Sequence, residues 1–210
     1  MNNLINQLIK DGHLKSDLII EAFSEISRVE FLPEDLENEA YSDIALPIGY
    51  GQTISQPSAA AIMLELLDPQ RGHNILDVGL GSGWTTALLC YIVGRQGRIT
   101  ALERIKNLLE WGKNNVDKYD YLRDGQEGIV EFFCEDGSGG FKKYAPYDRI
   151  LVSASADIIP EALKKQLKIG GKMVIPIRSS LIYLERKSEN DFHKEEFPGF
   201  AFVPLVKGKI

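Results

Sequence analysis

Residues Ile75-Leu-Asp-Val-Gly-Leu-Gly-Ser-Gly-Trp84 run from an apolar, strand-like segment through three alternate glycines into Thr85-Thr-Ala-Leu-Leu-Cys90, a helix start. Glycine at 79, 81 and 83 permits a tight turn and lets a ligand lie against main chain with no Cβ between them. A dinucleotide fingerprint places its third glycine where Trp84 stands, and offers helix-terminal N–H groups to a pyrophosphate. Asp77, just ahead of the loop, repels phosphate but suits a ligand carrying an amino group or a sulfonium. The loop therefore favours S-adenosyl-L-methionine over a nicotinamide dinucleotide. A glycine-rich turn that holds no cofactor fits this stretch equally well when it is read alone.

Outward from that loop, strand and helix patterns alternate. Strands are expected at Asn74 to Val78, Arg98 to Leu102, Val130 to Cys134, Tyr147 to Ser153 and Lys172 to Pro176, with helices at Thr85 to Val93, Lys106 to Tyr119 and Pro160 to Gln166. This alternation is the signature of a doubly wound parallel sheet in an α/β fold. Ser180 to Lys187 and Gly199 to Leu205 alternate around the polar Ser188-Glu-Asn-Asp191 and predict an antiparallel pair at the sheet edge. Ahead of the core, Leu4 to Lys10 and Ser16 to Ser27 have helical spacing, the second with Ser16 as N-cap. Tyr41 to Pro57, rich in Gly and Pro, predicts a long ordered loop, and Pro57 opens a helix reaching Leu67.

A chain of 210 residues with 44% hydrophobic and 26% charged residues has the composition of a globular protein with one sizeable core. We expect a single domain over 1–210: N-terminal helices and a substrate loop in 1–57, a cofactor-binding core in 58–178, and edge strands in 179–210. The net charge of −6 argues against a broad nucleic-acid-binding face. No apolar run reaches membrane-spanning length, and the first residues lack a signal peptide's basic start and long apolar core, so a cytoplasmic protein with no membrane partner is expected. Cys90 and Cys134 sit in separate apolar segments and read as buried reduced thiols. His13, His73 and His193 form no ligand spacing, and no metal is predicted.

Three acidic positions fall where parallel strands end, the rim at which open α/β sheets bind ligands. Glu103 closes the strand that follows the glycine loop by one βαβ unit, where a carboxylate accepts hydrogen bonds from both hydroxyls of a ribose. Glu135-Asp-Gly137 closes the next strand and suits an adenine amino group; a plain turn acid is the alternative there. Hydroxyls at Thr53 and Ser55, in Gly49-Tyr-Gly-Gln-Thr-Ile-Ser-Gln-Pro57, precede a helix start and can grip an anion together with backbone N–H groups. Simple helix capping by Ser55 accounts for the same local pattern.

The runs Ala45-Leu-Pro-Ile-Gly-Tyr-Gly-Gln-Thr-Ile-Ser-Gln-Pro57, Leu76-Asp-Val-Gly-Leu-Gly-Ser-Gly83, Glu103-Arg104, Glu135-Asp-Gly137, Ala145-Pro-Tyr-Asp-Arg-Ile150, Gln166-Leu-Lys-Ile-Gly-Gly171 and Phe202-Val-Pro-Leu205 occur in that order over nearly the whole chain. In them the sequence closely resembles the protein-L-isoaspartate O-methyltransferase family. The resemblance implies a class I methyltransferase (Rossmann-like) fold. It implies that Gly79, Gly81 and Gly83, with Asp77 ahead of them, line the methionine part of S-adenosyl-L-methionine. Glu103 would hold the ribose, and Glu135, Asp136 and Gly137 would border the adenine. It further implies Ser55 as the active-site hydroxyl with Thr53 beside it, and Ile54 and Val203-Pro-Leu205 flanking an isoaspartyl peptide. Leu80, Trp84, Ser58 and Ser153-Ala-Ser-Ala156 depart from the family pattern and bear on donor affinity and substrate preference.

The expected reaction is methyl esterification of the free α-carboxylate of isoaspartyl residues by direct in-line transfer, leaving S-adenosyl-L-homocysteine, with a monomer acting on damaged proteins and peptides. A carboxylate with a pKa of about 3.3 to 3.7 is already ionised at neutral pH, so no general base is required. Rival readings are a methyltransferase for a small-molecule or specialised peptide carboxylate, a non-catalytic binding module of the same build, and an NAD oxidoreductase.

Overall fold

The computed structural model describes residues 3–119 and 129–210. Helices α1 (Asn3–Lys10) and α2 (Asp17–Glu25) turn Ile5, Leu8, Ile19, Ala22 and Phe23 inward, as their spacing requires. Ser16 stands at the N-cap of α2, yet its side chain makes no cap hydrogen bond and donates instead to Glu65 Oε2 at 2.7 Å. Two 3-10 turns, Arg28–Phe31 and Glu34–Glu39, follow.

The expected long loop contains an antiparallel hairpin, β1 (Leu46–Gly49) and β2 (Gln52–Ile54). Gly49, Tyr50 and Gly51 all have positive φ at its tip, which makes the tight reversal possible. Helix α3 (Pro57–Leu67) then starts on proline, whose missing N–H costs nothing at that position.

Strands β3 (Asn74–Val78), β4 (Arg98–Glu103), β5 (Val130–Cys134), β6 (Tyr147–Val152) and β7 (Leu167–Ile177) are mutually parallel. They alternate with α4 (Trp84–Val93), α5 (Lys106–Val116) and α6 (Glu161–Gln166). Strands β8 (Ser180–Arg186) and β9 (Phe192–Pro198) extend the sheet antiparallel, giving the order β5-β4-β3-β6-β7-β8-β9. The order reverses between β4-β3 and β6, a topological switch point at which open sheets leave a crevice. Separate apolar layers cover the two faces, one built on Leu64, Leu88 and Ile99, the other on Leu76, Ile150 and Met173.

The last strand corrects the expected pairing. The partner of β8 is Phe192–Pro198, not Gly199 to Leu205. An edge strand bearing mostly exposed polar residues has no buried face to impose alternation, so its pattern is silent. Gly199, at φ +98, turns the chain away from the sheet, and residues 203–205 run back beside Ser155.

Candidate active site

At the carboxyl end of β3 the glycine loop is fastened to its neighbours through main chain. Gly79 and Leu80 N–H donate to Leu102 O at 2.9 and 3.0 Å, and Gly81 N–H to Glu103 Oε2 at 3.1 Å. Gly79, Gly81 and Gly83 all have positive φ. At Gly83 a Cβ would also lie 2.6 Å from Gly112 O of α5, so this glycine serves the packing of helix against loop. Gly79 and Gly81 line the cavities described below, and Gly83 does not. Asn115, buried on α5, completes the clamp by donating to Ser82 O at 3.0 Å.

The acidic positions separate by environment. Glu103 is 6% exposed and accepts from two backbone N–H groups, Gly81 on Oε2 and Ile105 on Oε1, which fixes its carboxylate at the cavity wall. Each oxygen keeps acceptor capacity for a further donor. Asp77 is fully buried beneath the loop and lines neither cavity. Its Oδ2 accepts from Thr86 Oγ1 at 2.6 Å, while Oδ1 has no partner among the described residues. Burial, reinforced by the charge of Glu103 and only partly opposed by the Thr86 bond, pushes its pKa up to about 7. Glu135 reaches the cavity, but Asp136 is engaged elsewhere. Its oxygens accept from Ser138 N–H at 2.9 Å and Gly208 N–H at 2.8 Å. Burial works against ionisation there, yet these bonds hold the carboxyl below its ordinary value. Gly137 is required by contact, because a Cβ would run into Val78 Cγ1.

Two adjoining cavities, both open to solvent, share Gln52, Gly79 and Ala154 in their walls. Glu103, Ile105, Glu135, Gly137, Pro204 and Leu205 line one. Thr53, Ile54, Ser55, Gly81, Trp84, Ser153 and Val203 line the other. The expected substrate segment is therefore divided: Val203 stands with Ser55, and Pro204 and Leu205 with Glu103. The two spaces adjoin along the glycine loop, with Glu103 on one side and Gly81 on the other. Ser153 Oγ, buried and without a partner among the described residues, supplies a further polar group at the wall between β6 and the loop.

Ser55 does not cap α3. Gln56 holds the N-cap position without a side-chain bond, and the Ser58 N–H is taken by Asp43 Oδ1 at 2.8 Å. Capping is thus supplied from a segment that sequence spacing does not connect to the helix. The half-buried Ser55 hydroxyl is left at the cavity wall, with the exposed Thr53 two residues away on β2. Gln52, within the Gly-Tyr-Gly-Gln-Thr motif, was not anticipated as a wall residue. Trp84, Ser153 and Ala154, which the sequence marks as departures bearing on donor affinity and substrate preference, stand at the wall where β6 ends beside the loop. Among the described residues, no helix is long and apolar enough to cross a membrane and no cluster of three or more His, Cys, Asp or Glu residues is placed to hold a metal. Cys90 is buried and free, whereas Cys134, also free, is only partly buried.

Comparison with known proteins identifies the family and the fold. The family model described as protein-L-isoaspartate(D-aspartate) O-methyltransferase matches residues 1–210. A protein-L-isoaspartate O-methyltransferase of Methanopyrus kandleri is 44% identical over 207 residues, covering 97% of this chain and 89% of the relative. One from Methanothermobacter thermautotrophicus is 38% identical over 208 residues, covering 97% and 93%. A crystal structure of a Plasmodium falciparum protein of that description, in complex with S-adenosyl-L-homocysteine, superposes with a TM-score of 0.86 at 24% identity, covering 97% of this chain and 96% of the other.

Proposed function

The chain belongs to the protein-L-isoaspartate(D-aspartate) O-methyltransferase family, and from that premise we propose that it repairs damaged proteins by methylating the free α-carboxylate of isoaspartyl residues with S-adenosyl-L-methionine. The single observation that carries the residue assignment is the double cavity, with Glu103 on one wall and an uncommitted Ser55 hydroxyl on the other.

When bound, S-adenosyl-L-methionine supplies a methyl group activated by a sulfonium. Glu103, held by two N–H groups, accepts from the ribose hydroxyls, and Glu135 with Gly137 borders the adenine. Gly79 and Gly81 present main chain to the methionine portion. Asp77 acts from below, tying the first turn of α4 to β3 through Thr86. Ser55 donates to the substrate carboxylate and orients it, with Thr53 beside it, and Ile54 and Val203 shape the wall. The nucleophile is already ionised, so the residues at the site need no base. Their contribution is alignment and exclusion of water, worth roughly 7 to 11 kcal/mol in the best-aligned cases. Esterification turns the unreactive carboxylate into a methyl ester; the neighbouring backbone nitrogen attacks its carbonyl carbon, methanol leaves, and water reopens the resulting succinimide partly to normal aspartate. The free thiols Cys90 and Cys134 suit a reducing compartment such as the cytoplasm, and the acidic net charge disfavours a broad nucleic-acid-binding face.

The test is incubation with labelled methyl donor and two peptides that differ only in Asp versus isoAsp. Label is expected on the isoAsp peptide alone. Equal labelling of both overturns the substrate assignment.

A further inference from the structure

Arg28 is buried to 3% exposure in the N-terminal region, lines neither cavity, and among the described residues no carboxylate hydrogen-bonds its guanidinium. Its two Nη groups donate to backbone carbonyls instead, while the buried Nε has no partner among the described residues. Nη1 reaches Ala40 O at 2.9 Å and Ser42 O at 3.4 Å, and Nη2 reaches Ile44 O at 2.8 Å and Ser55 O at 3.1 Å. Residues 40–45 form no strand or helix, so carbonyls turned inward there need donors from a side chain. A planar fork meets several acceptors at fixed angles, which an ammonium cannot. The fourth acceptor is the carbonyl of Ser55 itself. On its other side the guanidinium carbon lies 5.4 Å from the ring centroid of Trp84, which follows the glycine loop and lines the same cavity as Ser55. One side chain therefore touches the Ser55 segment and the residue that follows the glycine loop, both of which line the same cavity.

We propose that Arg28 is a positioning residue for methyl transfer, holding the Ser55 backbone and the Trp84 ring at a fixed separation. The inference rests on the function proposed above. Arg28 touches neither expected ligand directly; it acts through Ser55, whose hydroxyl position follows from the peptide plane that Arg28 grips. A mere structural role predicts a lower melting temperature with normal turnover in the folded fraction. A positioning role predicts lost turnover in protein that is folded, because misplacement of reacting atoms by a fraction of an ångström is costly to rate. A separate cavity lined by Phe23, Ser27, Arg28, Tyr41 and Trp84 gives a small cation a route to the guanidinium position from outside.

The experiment measures kcat at saturating donor and isoaspartyl peptide for wild type, Arg28→Lys and Arg28→Ala, corrected for folded fraction, beside adenosylhomocysteine affinity by calorimetry. Arg28→Lys is expected to lose about tenfold or more in kcat while affinity stays within about threefold. Millimolar guanidinium is expected to restore part of the turnover of Arg28→Ala, and methylammonium to restore none. Wild-type kcat in folded Arg28→Lys overturns the proposal, as does equal rescue by the two cations or no rescue. If Arg28→Ala does not fold, Arg28→Lys decides; failure of both to fold overturns the proposal in favour of a structural role. Wild-type protein inactive on the isoaspartyl peptide sinks the substrate assignment and this role with it, whereas active wild type beside an equally active lysine variant sinks this role alone.

Discussion

The rim formed by the glycine loop and Glu103 is held by groups from the next elements of the core, largely main chain, whereas the wall that carries Ser55 is held by side chains arriving from elsewhere. On the first side, bonds to Leu102 O and the clamp of Gly112 and Asn115 fix the loop, and every member lies between β3 and α5. On the second, Arg28 grips the Ser55 carbonyl, Asp43 takes the first free N–H of α3, and Val203 returns from the far end of the chain. Geometry set by backbone conformation tolerates few residue types and leaves a motif. Geometry set by distant side chains leaves almost none, because any residue with the right reach will serve.

The largest expected effect breaks the backbone-held side. Gly83→Val sets a β-branched residue at φ +91 with its Cβ against Gly112 O, and adenosylhomocysteine binding should fall below detection by calorimetry. Wild-type affinity in that variant would mean that loop packing does not support the donor site.

Next is Asp77, whose elevated pKa makes the same side sensitive to pH. A carboxyl with a native pKa of about 7 against an ordinary 3.8 binds its proton more tightly in the folded state. Its contribution to stability is complete below about pH 4 and is lost as pH rises through about 7. The unfolding free energy of wild type minus that of Asp77→Asn, from denaturant titrations, should therefore fall across this window by up to about 4 kcal/mol and then level off. A difference independent of pH would show that Asp77 titrates normally.

Glu103→Ala sharpens the comparison, since this residue is both backbone-held and ligand-facing. Adenosylhomocysteine affinity should weaken by about 1.5 to 3 kcal/mol, the range for hydrogen bonds to a charged group. Unlike a surface acid, it should also lower the melting temperature, because the N–H groups of Gly81 and Ile105 lose their acceptor. Unchanged affinity in folded protein would remove Glu103 from the site.

Ser55→Ala should have the smallest effect on binding and a specific one on rate. Methyl transfer to an isoaspartyl peptide is expected to drop about tenfold or more, with donor affinity within about threefold. Since Asp43, not Ser55, serves the start of α3, the unfolding free energy should change by less than about 0.5 kcal/mol. Normal turnover would return Ser55 to the role of a bystander at the wall.

Sequence by itself determined the parallel core, the glycine loop, Glu103 at the end of β4, and Thr53 with Ser55 ahead of a proline-initiated helix. Periodicity and glycine placement are local consequences of backbone sterics, so they can be read within one unit of chain. Asp136 shows where that reading ends: its position at the rim was legible, but its engagement with Ser138 and Gly208 was not, and Glu135 faces the cavity in its place. The identity of β9 was likewise hidden, because an exposed edge has no buried face to write a pattern. Only the tertiary structure decided that Gly83 serves helix packing, that Asp77 is sealed beneath the loop, and that Arg28 joins the Ser55 segment to Trp84. Each depends on which distant atoms come within hydrogen-bond or van der Waals reach, a condition that residue order along the chain does not encode locally.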